Sequence, residues 1–207
     1  MRSPDRLVGV AGTGTEVGKT WVTAAVSRVL RADGVRVAAR KPVQSFGLGD
    51  ALDSAVLGAA TGEASEAVCP RHRWFEVPMA PPMAAAALGR PAFTVADLVG
   101  ELAWPEGIDV GFVETAGGVR SPIADDGDCA SFLAAIAVDL VVLVADAGLG
   151  TINSVRLSCD SIAAPIVVFL NRYDEDDDLH RRNRDWLADR DGLDVVTTIT
   201  ALAGALR

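Results

Sequence analysis

The stretch Gly12-Thr13-Gly14-Thr15-Glu16-Val17-Gly18-Lys19-Thr20 constrains this chain more than any other. An apolar run, Leu7 to Ala11, leads into it, and an amphipathic run, Trp21 to Leu30, follows. Strand, glycine-rich turn, Gly-Lys-Thr and helix, in that order, are the parts of a phosphate-binding loop. The N–H groups of the turn and the positive end of the helix dipole face an anion, the lysine adds a point charge, and the threonine hydroxyl is a ligand for Mg²⁺. The usual pattern separates its two glycines by four residues, which would need glycine at Thr13. Here the separation is five residues from Gly12 to Gly18, or three from Gly14. The loop is a variant.

The length of 207 residues predicts a single domain, 1–207, with a substantial core. Half the residues are apolar and only 5% aromatic, a composition suited to helices alternating with buried parallel strands. The net charge of −9 argues against electrostatic binding to nucleic acid or to an anionic membrane surface. Cys69, Cys129 and Cys159 are odd in number, widely spaced and without a C-x-x-C, so they read as small hydrophobes in a reducing compartment. The N-terminal apolar run is too short for a signal peptide, and Asp139 interrupts the longest apolar stretch, Leu133 to Ala145. The expectation is a cytoplasmic protein.

Of 19 Lys and Arg residues, only Lys19 and Lys41 are lysine. Lys19 lies in the loop, where a compact ammonium fits among phosphates better than a broad guanidinium. Lys41 follows a predicted strand, Val35 to Arg40, and strand ends in a parallel sheet share one ligand-binding rim. A helix is expected to open at Asp50, and Gly34 reads as the stop of the first helix. The middle section is proline- and alanine-rich, with Thr94 capping a short helix. Strands over 108–113 and 139–144 end in Glu114 and in Ala145-Asp146, each followed by a glycine-rich turn. An apolar strand ending in a carboxylate has the form of a Walker B element. Glu114 is the stronger candidate; Asp146 is equally readable as a cap on the next turn. A strand over 165–170 leads into Asn171-Arg172, the acidic run 174–178 reads as a solvated helix start, and a short strand and helix close the chain. The alternation predicts a three-layer α/β domain of the phosphate-loop NTPase type, with a mostly parallel sheet between helices.

Over nearly its whole length the chain resembles the dethiobiotin synthetases, the ATP-dependent carboxylases of biotin synthesis. The resemblance is carried by Gly12 to Thr20 with its five-residue glycine spacing, Lys41-Pro42-Val43 with Ser45, Asp53, Pro78 with Pro81, Glu114-Thr115-Ala116-Gly117-Gly118, Gly148-Leu149-Gly150-Thr151-Ile152-Asn153, and Asn171. It implies a reaction of 7,8-diaminopelargonate, CO₂ and ATP, giving a carbamate, its phosphorylated form and then a cyclic urea. By resemblance Lys41, Lys19 and Thr15 are catalytic, and Thr20, Asp53 and Glu114 bind Mg²⁺. Glu16, Val17, Gly18, Lys19, Thr20 and Trp21 wrap the nucleotide, together with Asp53, Glu114, Thr115, Ala116, Gly117, Asn171 and Arg172, with Asn171 toward the adenine. Thr15, Lys41, Ser45 and Gly118 line the substrate site. Gly150 and Asn153 serve that of a neighbouring subunit, which implies a homodimer with shared active sites.

Thr115, Phe46 and Pro82 depart from the family pattern. The latter two fall near the expected substrate pocket, so a member acting on another diamine is an alternative. A partner-positioning ATPase switch is a second one. Its deviant form carries a lysine five residues before the Gly-Lys lysine, and that position here is Gly14.

Overall fold

The computed structural model describes residues 3–207. Strand β1 (Arg6–Gly12) buries both faces through Val8, Val10 and Ala11, as a central parallel strand must. Helix α1 (Lys19–Ala32) buries Val22, Ala24, Val26 and Leu30 on its inner side and stops at Gly34, whose φ of 83° is left-handed. Strand β2 (Val37–Arg40) follows, two residues shorter at its start than expected.

The chain then leaves the sheet. It forms β3 (Gln44–Ser45), α2 (Asp53–Thr61), α3 (Ser65–Val68), β4 (Trp74–Phe75), α4 (Pro81–Ala87) and α5 (Val95–Gly100). Helix α2 opens at Asp53 rather than Asp50, because the Asp50 carboxylate accepts the Gly47 N–H at 2.7 Å and closes a turn instead. Pro81 and Pro82 occupy the first turn of α4, where no N–H is needed, and Thr94 caps α5 in a reciprocal pair with Asp97.

The sheet resumes with β5 (Val110–Glu114), followed by the short antiparallel pair β6 (Pro122–Ala124) and β7 (Gly127–Asp128), and by α6 (Cys129–Ala135). Next come β8 (Leu140–Asp146), α7 (Thr151–Cys159), β9 (Ile166–Asn171), α8 (Asp178–Asp185), β10 (Asp194–Val196) and α9 (Ile199–Ala205). Asp177 caps α8 and Asp178 pairs with Arg182, so the acidic run starts a solvated helix.

The main sheet has the order β10-β9-β8-β1-β5-β2, with every pairing parallel. Helices cover both faces, which makes the three-layer α/β fold expected from the alternation. On one face Leu30, Leu57, Phe112, Val142 and Leu202 share a core; on the other, Leu133, Val141, Leu143, Val155 and Leu187 do. Burying one such side chain stabilises by about 1.5–3 kcal/mol, so this double core holds the strand ends rigidly. After β1 the chain runs outward to β2, returns to β5, and only then crosses to β8. The carboxyl ends of β1, β5 and β2 are therefore neighbours beside a topological switch point, where open α/β sheets bind ligands. Among the described residues no helix is long and apolar enough to cross a membrane.

Candidate active site

The loop after β1 explains its own glycine spacing. A Cβ at Gly12 would lie 2.8 Å from Val17 and 3.1 Å from Lys19, and one at Gly18 would lie 2.1 Å from Asn171 Nδ2. Gly18 also has φ 98°, so both ends of the five-residue interval require glycine for close approach. Gly14 does not: its nearest neighbour would be Val17 at 3.9 Å. Glu16 takes the left-handed conformation within the interval, and the Thr13 N–H donates to Val144 O, pinning the loop to β8. Lys19 Nζ donates to Gly14 O at 3.1 Å.

Around this loop three elements deliver a buried charge cluster. Helix α1 brings Thr20, the start of α2 brings Asp53, and the end of β5 brings Glu114. Thr20 Oγ1 lies 2.8 Å from Asp53 Oδ1 and 2.7 Å from Glu114 Oε1. Lys41, just beyond β2, places Nζ 2.8 Å from Asp53 Oδ2, 2.8 Å from Glu114 Oε1 and 3.1 Å from Thr115 O. Thr23 Oγ1 supports the other Glu114 oxygen at 3.1 Å. The Glu114 side chain is 0% exposed, so this full set of partners is what permits a carboxylate there.

Burial alone would push the Lys41 ammonium down, but Glu114 and then Asp53 outweigh it, and its pKa lies above the ordinary lysine value. Burial would likewise raise Asp53, yet Lys41 holds it below the usual carboxylate range. Lys19 is lowered, first by burial and then by Lys41. An all-oxygen trio of one hydroxyl and two carboxylates fits a hard cation such as Mg²⁺ that keeps further positions for phosphate and water.

A cavity of about 810 Å³ opens over the cluster. Thr15, Glu16, Gly18, Lys19, Thr20, Trp21, Lys41, Ser45, Asp53, Ala116, Gly117 and Arg172 line it. So do Phe46, Pro78, Met79 and Pro81, which make an apolar part of the lining. Ser45 Oγ donates to Met79 O, and Arg172 braces the loop by donating to Glu16 O.

Other expected residues sit elsewhere. Val17 contributes its carbonyl, which accepts from Asn171 Nδ2 at 2.9 Å, so Asn171 lies against the loop rather than in the cavity. The Thr115 side chain is buried against Val10 O, and only its carbonyl reaches Lys41. Gly118 borders an adjacent groove with Thr13, Gly14 and Leu157. Gly150 and Asn153, exposed at the start of α7, are outside the cavity of their own chain. Asp146 caps its turn by accepting the Gly148 N–H and pairs with Arg172 at 2.8 Å, which decides its reading against a metal ligand.

Sequence reasoning passed over Thr23 and Gln44. Thr23 looks like any residue of an amphipathic helix, and its partner Glu114 is 91 residues away. Gln44 lines the cavity while its amide pairs with Ser54. No local pattern announces either.

A family model described as an AAA domain matches residues 6–204. The ATP-dependent dethiobiotin synthetase BioD of Rhodococcus jostii is 36% identical, over 97% of this chain and 88% of its own length. That of Methylobacterium nodulans is 38% identical over 74% of this chain and 73% of its own. The chain belongs to the dethiobiotin synthetase family. Among solved structures, the signal recognition particle receptor FtsY of Elizabethkingia anophelis superposes with a TM-score of 0.60 at 14% identity, covering all of this chain and 64% of the receptor. A plasmid partition protein of Borrelia burgdorferi gives 0.57 at 13%, over 99% of this chain and 96% of its own. The chain spans about two thirds of the receptor's length, and these likenesses concern the fold alone. Family membership brings ATP use with it and gives the phosphate loop its ligand.

Proposed function

We propose that this chain is an ATP-dependent dethiobiotin synthetase. It joins CO₂ to 7,8-diaminopelargonate and closes the cyclic urea at the expense of ATP. The observation that carries the reading is one cavity lined by the phosphate loop, by Lys41 and by the apolar residues Phe46, Pro78, Met79 and Pro81. Nucleotide and an amphiphilic substrate then meet at a buried cation.

One amine of the substrate takes up CO₂ and loses a proton, forming a carbamate anion. A carbamate oxygen attacks the γ-phosphorus of ATP, ADP leaves, and a carbamic–phosphoric anhydride remains. The second amine attacks its carbonyl carbon and expels phosphate, and the ring closes. Lys19 and the loop N–H groups hold the phosphates and spread the charge of the transferring group. Lys41 neutralises the carbamate, so that two anions can approach. Thr15 orients the reacting amine from the loop, and Ser45 and Gly117 border the substrate. Phe46, Met79 and Pro81 cover its methylene chain. Thr20, Asp53 and Glu114 would hold Mg²⁺, which supplies Lewis-acid polarisation of the phosphoryl oxygens when bound. Arg172, which lines the cavity, bounds the nucleotide, and Asn171 braces the loop through the Val17 carbonyl.

The reading extends to a homodimer in the cytoplasm, each chain a single domain. In its support, one six-stranded sheet takes in both β1 and β10, and Leu149 and Leu157 expose apolar surface around α7. Incubation with ATP, Mg²⁺, bicarbonate and 7,8-diaminopelargonate should yield the cyclic urea with one ADP per turnover. ATP hydrolysis indifferent to both bicarbonate and diamine would sink the proposal.

A further inference from the structure

The two carboxylates read as metal ligands already hold a cation. Lys41 Nζ sits 2.8 Å from Asp53 Oδ2 and 2.8 Å from Glu114 Oε1. Glu114 Oε1 also lies 2.7 Å from Thr20 Oγ1, while Glu114 Oε2 accepts from Thr23. Both oxygens of Glu114 have a neighbour, and Oε1, the one that Lys41 holds, has two. A Mg²⁺ bound directly to Oε1 would sit about 2.1 Å from it. With the ammonium 2.8 Å from the same atom, the two cations could be no more than about 4.9 Å apart. Glu114 is wholly buried, so little water would screen them.

We propose that Lys41 and the metal exchange at this site. Direct coordination by Asp53 and Glu114 expels the Lys41 ammonium, and its flexible four-carbon stem carries the freed charge to the anionic substrate in the same cavity. Lys41 is then a sensor of metal loading as well as the group that grips the carbamate. This rests on the reading of Thr20, Asp53 and Glu114 as a Mg²⁺ site.

The test uses the fact that the chain has two lysines. Selective ¹³C labelling at lysine Cε gives two resonances, assigned with Lys41→Met. A non-hydrolysable ATP analogue in EDTA should move the Lys19 signal and leave Lys41 in place. Addition of Mg²⁺ should then shift Lys41 and make it reactive toward cyanate. In parallel, Lys41→Met should bind Mn²⁺, read by electron paramagnetic resonance, on the order of tenfold more tightly in the presence of the analogue. Metal binding that leaves Lys41 unmoved and protected would overturn the exchange and indicate carboxylates acting through a water shell. Movement of Lys41 with the analogue alone would overturn it too. If neither Mg²⁺ nor Mn²⁺ binds, the metal reading itself fails and takes the exchange with it, a result distinguishable by the flat metal titration.

Discussion

Arg40 and Lys41 are adjacent in sequence, both cationic, and both nearly buried at 5% and 3% exposed, yet the fold uses them in opposite ways. Arg40 meets Glu63 at 2.7 Å, donates to the carbonyls of Ala39 and Ala103, and lies over the Trp104 ring at 4.8 Å. Its planar fork reaches fixed groups through Nε and Nη1, which ties β2, the turn after α2 and the segment before β5 together. Lys41 is fully partnered too, by Asp53, Glu114 and the Thr115 carbonyl. Its point charge is shared between two carboxylates, one of them facing a cavity that also holds the phosphate loop. Burial and charge alone do not separate a functional cation from a structural one. What separates them is whether the partners have another use.

Four substitutions or titrations can break or sharpen that contrast. The largest effect is expected from Lys41→Gln, which should lower turnover on the order of 10³-fold while leaving nucleotide affinity largely intact. Full activity would remove Lys41 from the chemistry. Arg40→Met should instead destabilise the fold by about 3 kcal/mol in a denaturant titration, because it leaves the largely buried Glu63 carboxylate without its cation. Its folded fraction should keep normal turnover, and a specific loss of activity would erase the distinction between the two cations.

Gly18→Ala should cost about 1–3 kcal/mol through its left-handed backbone. It should also displace Asn171, and Gly18→Ala/Asn171→Ala should recover only the part due to that contact. Unchanged stability of the single variant would mean that the loop yields more readily than its packing implies. The smallest effect concerns Asp109, half-buried at the surface and held down to about 2 by hydrogen bonds from Arg36. A depressed carboxylate contributes stability above its unfolded value near 3.8 and loses it as pH falls through about 2. Carboxyl NMR should place the Asp109 midpoint near 2, and an ordinary midpoint would show that this surface clamp is not formed.

Much of the fold was legible because its signals are local. Apolar runs of strand length, Gly34 after the first helix, Thr94 with Asp97, and prolines at the head of α4 each act within a few residues. Boundaries were less legible where a side chain found a competing partner. Asp50 could have opened a helix but closes the turn at Gly47, and α2 starts at Asp53. Within the site, Lys41 stood out by residue type, in a chain that otherwise uses arginine. Thr23 did not, because its value lies only in the Glu114 oxygen it supports. Asp146 and Glu114 look alike as strand-terminal carboxylates. Their neighbours in space divide them: Arg172 and Gly148 N–H for one, Lys41, Thr20 and Thr23 for the other.

The sequence by itself determined that a phosphate loop begins the chain, that strands and helices alternate behind it, and that the motifs belong to one family. Those properties depend on spacing along the backbone and on the intrinsic geometry of glycine, proline and capping residues. Only the tertiary structure decided that Lys41 shares its charge with Asp53 and Glu114, and that both ends of the five-residue glycine interval are forced by packing. Such contacts join residues far apart in sequence, 154 positions in the case of Asn171 and Val17, and they exist only once parallel strands have set their ends side by side.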